Sequence, residues 1–188
     1  ELLQNNYKVI ALSRNLKKLS KLKSFNSKYN NYLKIFSADV TNSSQLLSIA
    51  KNIKSPDLLI LNAGIYEPVS IEKFSVETFV KHSEINYLGV IKSFDAFIKK
   101  MILRRVGTVL IMSSIAGWIG LPKASAYAPT KSALRLFAQS IRYDLDQYNI
   151  DIKLCSPGFV NTKAVKVNDF KMPGLIEPSV AAKTILKK

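Results

Sequence analysis

The chain has 188 residues, 47% of them apolar and 22% charged, which suits one globular domain with a sizeable core and excludes a disordered segment. A formal net charge of +15 raises nucleic acid or an anionic membrane surface as partners. Lysine far outnumbers arginine and no arginine forks with interleaved aromatics are visible, so solvated lysine-bearing helix faces and no nucleic-acid partner are the expectation.

Residues 1–4 read as the last turn of a helix that Asn5 and Asn6 stop, because asparagine tolerates the left-handed conformation that ends helices. Residues 7–13 form a buried-type strand, and a lysine-rich helix follows near 15–27. A second strand, 33–38, leads to Asp39 and Val40, after which Thr41 or Asn42 can cap a helix running to about Ile53. Pro56 marks the turn into the strand 58–61. A long helical region covers about 76–103, an apolar strand from Gly107 closes on Ser113 and Ser114, a helix spans about 125–148, and a strand ends at Cys155. That cysteine sits in an apolar run and reads as a small core residue; being single, it permits no internal disulfide. Residues 159–177 read as a loop or lid, and Pro178 opens a last helix. Strands alternating with helices predict an α/β fold, a Rossmann-like doubly wound parallel sheet with helices on both faces and every strand's carboxyl end on the ligand-binding edge. No apolar run reaches the ~18 residues of a membrane span, and the opening residues lack the order of a signal peptide, so a cytoplasmic location is expected. No metal is expected.

Tyr127 and Lys131, four apart, share one helix face and present a phenol and an ammonium to the same small volume. An unperturbed tyrosine titrates near pH ~10, and a cation held nearby favours the phenolate, which suits the phenol to general acid/base work. Ser114, at the end of its strand, places a hydroxyl where a substrate carbonyl can accept from it. His82, mid-helix, receives no role.

The run from Ser113 to Lys131, with Ala116-Gly117 and Pro122 inside it, resembles the active-site segment of the short-chain dehydrogenase/reductase family. Asn62-Ala63-Gly64, Asn86-Tyr87-Leu88-Gly89 and Pro157-Gly158-Phe159-Val160-Asn161-Thr162 fall in that family's order, so the resemblance covers nearly the whole chain, with Leu61 departing from a second asparagine and Pro129 from a small residue. Proline is tolerated only in the first helical turn, so Pro129 predicts a helix that begins close to Tyr127.

The resemblance implies an oxidoreductase interconverting a carbonyl and a secondary alcohol, with Tyr127 as acid/base, Lys131 lowering its pKa and binding the nicotinamide ribose, Ser114 polarising the carbonyl and Asn86 holding a water beside Lys131. It further implies that Asp39 and Val40 meet adenine, that Asn62, Ala63 and Gly64 line the adenine ribose, and that Pro157, Gly158, Val160 and Thr162 cradle the nicotinamide amide and pyrophosphate. Ser13-Arg14 ends the first strand where an acid would bind a ribose 2′-OH, and arginine suits a 2′-phosphate, so NADP(H) is expected over NAD(H). Apolar residues around the site, among them Trp118, Ile119, Val167 and Phe170, suit an apolar ketone or alcohol. The helices near 76–103 and 125–148 resemble those that pair across the family's subunit interface, which implies a homodimer or homotetramer. A cofactor-sensing or scaffolding protein and an epimerase or dehydratase remain as alternatives on the same fold.

The sequence holds no glycine-rich dinucleotide turn. The single domain over 1–188 is therefore expected to be incomplete, lacking about 20 residues at the N-terminus with a strand that belongs between 7–13 and 58–61, and a further strand beyond the C-terminus.

Overall fold

The computed structural model describes residues 1–25, 27–168 and 170–187, so the expectations touching Asn26, Asp169 and Lys188 lie outside them. The elements are β1 (Val9–Ser13), α1 (Leu16–Phe25), β2 (Leu33–Ser37), α2 (Ser43–Lys51), β3 (Leu58–Leu61), α3 (Val76–His82), α4 (Gly89–Arg104), β4 (Gly107–Met112), α5 (Ala128–Asp146), β5 (Ile150–Cys155) and α6 (Pro178–Lys187). The first residues form only a 3-10 turn, Leu3–Asn5, and Asn6 stops it at φ 62°, in the left-handed region that asparagine tolerates. Asn42, rather than Thr41, caps α2: its side-chain oxygen accepts from the Gln45 N–H at 3.1 Å. α3 and α4 are joined without a break by a π-helical turn, Ser83–Leu88, which makes the one long helical run that the sequence predicts.

All strand pairs are parallel, and they fall into two sheets, β1-β2 and β3-β4-β5. The larger sheet carries the main core. Val109 and Ile111 of β4, two apart and so on one face, pack with Leu61 of β3, Val90, Ile98 and Met101 of α4, and Leu134, Ala138 and Leu145 of α5. Phe94 of α4 meets Phe137 of α5 edge to face at 5.4 Å, locking the two helices together. A smaller cluster joins α2 to α4 through Leu46, Ile49, Ala50, Ala96 and Phe97. Cys155 is half-buried rather than a core residue, because it ends β5 at the open edge of the sheet.

Between β1 and β3 lies a cleft of about 1890 Å³, walled by Val9, Ile10 and Leu12 on one side and Leu58, Leu59 and Ile60 on the other. Among the described residues neither strand has a ladder partner on that side. The wall residues are apolar, yet no residue of β1 is fully buried and Ile60, mid-strand, is 36% exposed. Such strands read as buried on both faces, and here they are covered on one side only.

α4 ends on a cluster of basic residues that bind the backbone. Lys100 Nζ donates to the carbonyls of Ile53 (2.6 Å) and Lys51 (3.3 Å), and Arg104 donates to the Ser55 carbonyl and to Asp57. These carbonyls follow the C-terminus of α2, where unpaired acceptors and the helix dipole favour a cation. No described helix is long and apolar enough to cross a membrane.

Candidate active site

The end of β4 and the start of α5 are tied together by backbone and small side chains. Ser113, one residue beyond β4, still donates its N–H to the Cys155 carbonyl at 2.7 Å, and its buried hydroxyl donates to the Lys131 carbonyl at 2.9 Å. Gly117, in the 3-10 turn that follows, packs so close that a Cβ there would lie 2.8 Å from the Lys131 carbonyl carbon and 2.9 Å from its oxygen. Only glycine permits that approach. Ser114 caps this turn, its Oγ accepting from the Ala116 N–H at 3.2 Å, and Ile115 donates its N–H to the Pro157 carbonyl at 3.0 Å.

α5 begins one residue after Tyr127, with Pro129 in its first turn, as the proline predicts. The Ser114 side chain lies close enough to the Tyr127 phenol to lower its proton affinity. Lys131, 4% exposed, extends its ammonium beside the tyrosine: Nζ lies 5.6 Å from the ring centre and donates to the Met112 carbonyl at 2.8 Å. Phenol, hydroxyl and ammonium therefore converge at the carboxyl edge of the three-stranded sheet.

Their titration differs from the simplest expectation. Burial holds the Tyr127 phenol above its ordinary value, against the lowering effect of the nearby Ser114 side chain, and Tyr66 adds to the rise. Burial also pulls Lys131 down, from 10.5 to about 8. The spacing of tyrosine and lysine predicts a lowered phenol; here the lost hydration of a phenolate raises it, and the lysine's own charge is costly in the same dry volume.

Asn86 is fully buried in the π-helical turn and clamps a distant loop. Its Oδ1 accepts from the Ile65 N–H at 2.7 Å, and its Nδ2 donates to the Ile65 carbonyl at 2.9 Å and to Thr130 Oγ1 at 3.3 Å. Thr130 in turn donates to the Tyr127 carbonyl at 2.6 Å, so the clamp reaches the first turn of α5. Gly64 lies between these parts: a Cβ there would be 3.4 Å from Asn86 Oδ1 and 3.5 Å from Lys131 Nζ. One residue past Ile65, the Tyr66 ring meets the Tyr127 ring edge to face at 5.2 Å.

The residues expected at a cofactor divide in two groups. Ser13, Arg14, Val40, Asn62, Ala63 and Gly64 line the cleft between β1 and β3. Arg14, 59% exposed, pairs with Asp39 at 3.6 Å, and Asp39 also accepts from the Thr41 N–H (2.9 Å) and hydroxyl (2.8 Å). That first bond to the Thr41 backbone, with Arg14 assisting, holds the Asp39 carboxyl below its usual range. Val40 touches the start of α4, where a Cβ on Gly89 would come within 2.7 Å of it. Of Pro157, Gly158, Val160 and Thr162, the first accepts from Ile115 beside the serine pair; nothing crowds the face of Gly158, and Val160 bridges to Ile176.

Comparison with known proteins decides the family. A sequence model described as short chain dehydrogenase matches residues 1–171. The chain belongs to the short-chain dehydrogenase family. A 3-dehydrosphinganine reductase from Danio rerio is 32% identical over 158 residues, covering 77% of this chain and 48% of that protein. Dehydrogenase/reductase SDR family member 7B from Bos taurus is 39% identical over 106 residues, 56% of this chain and 33% of that one. The chain thus spans half or less of the curated relatives it matches. Among solved structures, serine dehydrogenase from Escherichia coli aligns at a TM-score of 0.78 and 25% identity over 84% of this chain and 74% of that one. ElxO with NADP bound shares the fold at a TM-score of 0.88 and 24% identity, over 99% of this chain and 82% of that one.

Two residues, His82 and Tyr66, the latter against the Tyr127 ring, are not read as site residues from the sequence. His82, assigned no role above, is fully buried and bonded to the loop that carries Tyr66. Its signal was present: it precedes Asn86 by four, the same-face spacing that makes Tyr127 and Lys131 a pair. Tyr66 had no such signal, since a loop residue two beyond Gly64 carries no periodicity.

Proposed function

We propose that this protein is an NADP(H)-dependent oxidoreductase that interconverts a carbonyl and a secondary alcohol, with Tyr127 as acid/base. The observation that carries it is the convergence of Ser114, Tyr127 and Lys131 at the sheet's carboxyl edge, with the Lys131 ammonium 5.6 Å from the Tyr127 ring centre and bonded to the carbonyl that ends β4. A substrate carbonyl seated against Ser114 and Tyr127 accepts from two positioned donors as negative charge develops on its oxygen. Tyr127 then gives up its proton to that oxygen, and in the reverse direction takes it back. The raised phenol favours the donor role, and the lysine, near neutrality in its affinity for protons, favours charge on the phenol when it holds its own.

The residues present fit a dinucleotide. Gly64 leaves open the space beside Asn86 and Lys131, Ala63 is small, and the exposed Arg14 guanidinium offers two parallel donors to a phosphate at the price of sharing them with Asp39. Ser13, Arg14, Asp39, Val40, Asn62, Ala63 and Gly64 would hold the adenosine side, and Lys131, Pro157, Gly158, Val160 and Thr162 the nicotinamide side. When bound, NADP(H) supplies or accepts the hydride. In the cleft between β1 and β3 two apolar strand edges face each other, with Ser13, Arg14 and Asn62 lining it where those strands end.

For substrate, Trp118, Ile119, Val167 and Phe170 are exposed apolar side chains and suit an apolar ketone. The zebrafish relative named for reduction of 3-dehydrosphinganine agrees with that class.

The test is NADPH oxidation by the full-length protein with a panel of apolar ketones. Tyr127→Phe should cost about 10²-fold or more in kcat with NADPH affinity unchanged. Arg14→Ala should weaken NADPH about tenfold and leave NADH alone. Activity surviving in Tyr127→Phe, or NADH binding as tightly as NADPH, overturns the corresponding half of the reading.

A further inference from the structure

His82 is 0% exposed, and each ring nitrogen is engaged. Nε2 lies 3.1 Å from the Glu67 N–H and Nδ1 lies 2.8 Å from the Thr78 carbonyl. A backbone N–H only donates, so Nε2 is the acceptor; a carbonyl only accepts, so Nδ1 carries the proton. The ring is a neutral imidazole with one tautomer chosen by its two neighbours.

What it holds is next to the site. His82 and Asn86, four apart on one helical run, bind three backbone groups of a single stretch: Asn86 takes both polar groups of Ile65, and His82 takes the N–H of Glu67. Between those two anchored residues stands Tyr66, edge to face with Tyr127 at 5.2 Å and close enough to oppose charge on its phenol. The Glu67 side chain is held separately, by Lys81 at 2.5 Å, while its backbone N–H donates to the histidine. The join between α3 and α4 is a π-helical turn, a departure from regular helix that recurs at functional sites.

We propose that His82 is a positioning residue for the reaction: by accepting from the Glu67 backbone it fixes Tyr66 against the Tyr127 phenol and so sets the placement of the acid/base. The proposal rests on Tyr127 being that acid/base. An apolar residue of similar bulk at 82 keeps the helix packed but leaves the Glu67 N–H without its acceptor, and the loop between Gly64 and Glu67 is then anchored at one end only. Small displacements near reacting atoms cost rate steeply.

The experiment uses the full-length enzyme and four variants, His82→Met, His82→Gln, Tyr66→Leu and the double variant of His82→Met with Tyr66→Leu, assayed for kcat, KM and the pH profile of kcat. The expected result has four parts. His82→Met lowers kcat about tenfold or more, with KM for NADPH within about threefold. His82→Gln, whose amide can accept from Glu67 and donate to Thr78, recovers most of that loss. Tyr66→Leu moves the alkaline limb of the profile toward lower pH by removing an opposing phenol. The double variant is no worse than the poorer single one, the mark of two residues acting as a unit. An unchanged kcat in His82→Met, or losses that multiply in the double variant, overturns the proposal and assigns the histidine to packing. Where His82→Met fails to fold, ¹⁵N shifts of the His82 ring in the unmodified protein decide: Nε2–H or a doubly protonated ring overturns it, and Nδ1–H with an accepting Nε2 supports it. If Tyr127→Phe keeps full activity, the acid/base reading falls and this one with it; if Tyr127→Phe is inactive while His82→Met is not, this one falls alone.

Discussion

At the scale of single residues, Lys131 is a costly placement, a cation in a dry volume. It is 4% exposed, has a backbone carbonyl as its hydrogen-bond acceptor, and sits beside a phenol rather than a carboxylate. Its pKa falls from 10.5 to about 8, so the fold disfavours the ammonium. Below pH 8 both folded and unfolded chains carry the proton, and the fold bears the full cost, at most about 3 kcal/mol. Between pH 8 and 10.5 the unfolded chain binds more protons than the folded one, so stability contributed at this site rises with pH across that window. Tyr127 acts with the opposite sign and higher up, because its raised value makes the folded phenol keep a proton that the unfolded one loses above pH 10. Lys131→Met is therefore expected to abolish activity while raising stability at pH 7, with a gain that narrows toward pH 10. Urea unfolding at pH 7 and pH 9.5 checks it, and a variant less stable than the parent at pH 7 would mean that the bond to Met112 outweighs desolvation.

At the scale of elements, the site depends on how tightly the end of β4 is pressed to the start of α5. The Ser113 hydroxyl and the bare face of Gly117 both meet the Lys131 backbone, which sets the height of α5 against the strand and hence the distance from Ser114 to Tyr127. Gly117→Ala would force a methyl group to 2.8 Å from backbone that has no room to move. The expected cost is about 1–3 kcal/mol of stability, as for other overpacked sites, with a fall in kcat larger than the change in cofactor affinity. Thermal unfolding and steady-state kinetics on the same preparation separate the two effects; wild-type kcat would show that Ser114 and Tyr127 tolerate the shift. The basic residues ending α4 belong to this scale too. Lys100 and Arg104 satisfy carbonyls beyond α2, which gives that cluster a structural use independent of any polyanion.

At the scale of the whole molecule, α5 presents one face to the core through Leu134, Ala138 and Leu145 and another to solvent through Leu136 and Tyr143, 54% and 80% exposed. The last two are seven apart, two turns along one stripe. We propose that this stripe pairs with its copy in a dimer or tetramer. Leu136→Glu with Tyr143→Glu should then reduce the sedimenting mass by half or more while leaving the core intact; an unchanged mass rejects this face. The open cleft between β1 and β3 is the other molecular feature. Among the described residues the facing edges of the two sheets share no ladder, and α2 and α4, which pack on each other, span the gap between them.

The alternation of strands and helices was legible in the sequence because apolar, β-branched runs and polar, lysine-rich runs differ in period, and β3 and β5 fall where those runs do. Tyr127, Lys131 and Asn86 were legible because helical spacing and ordered motifs are local properties. β4 stops at Met112 rather than Ser114 and α5 starts at Ala128 rather than near 125, since those ends are set by caps and by the Gly117 contact rather than by propensity. Only the tertiary structure decided that His82 reaches Glu67, that Tyr66 stands against Tyr127, and that burial lifts the phenol above its ordinary value. Each depends on residues 15 or more apart in the chain being brought into one dry volume, where hydration is lost and a hydrogen bond must be found, and no local pattern encodes that loss.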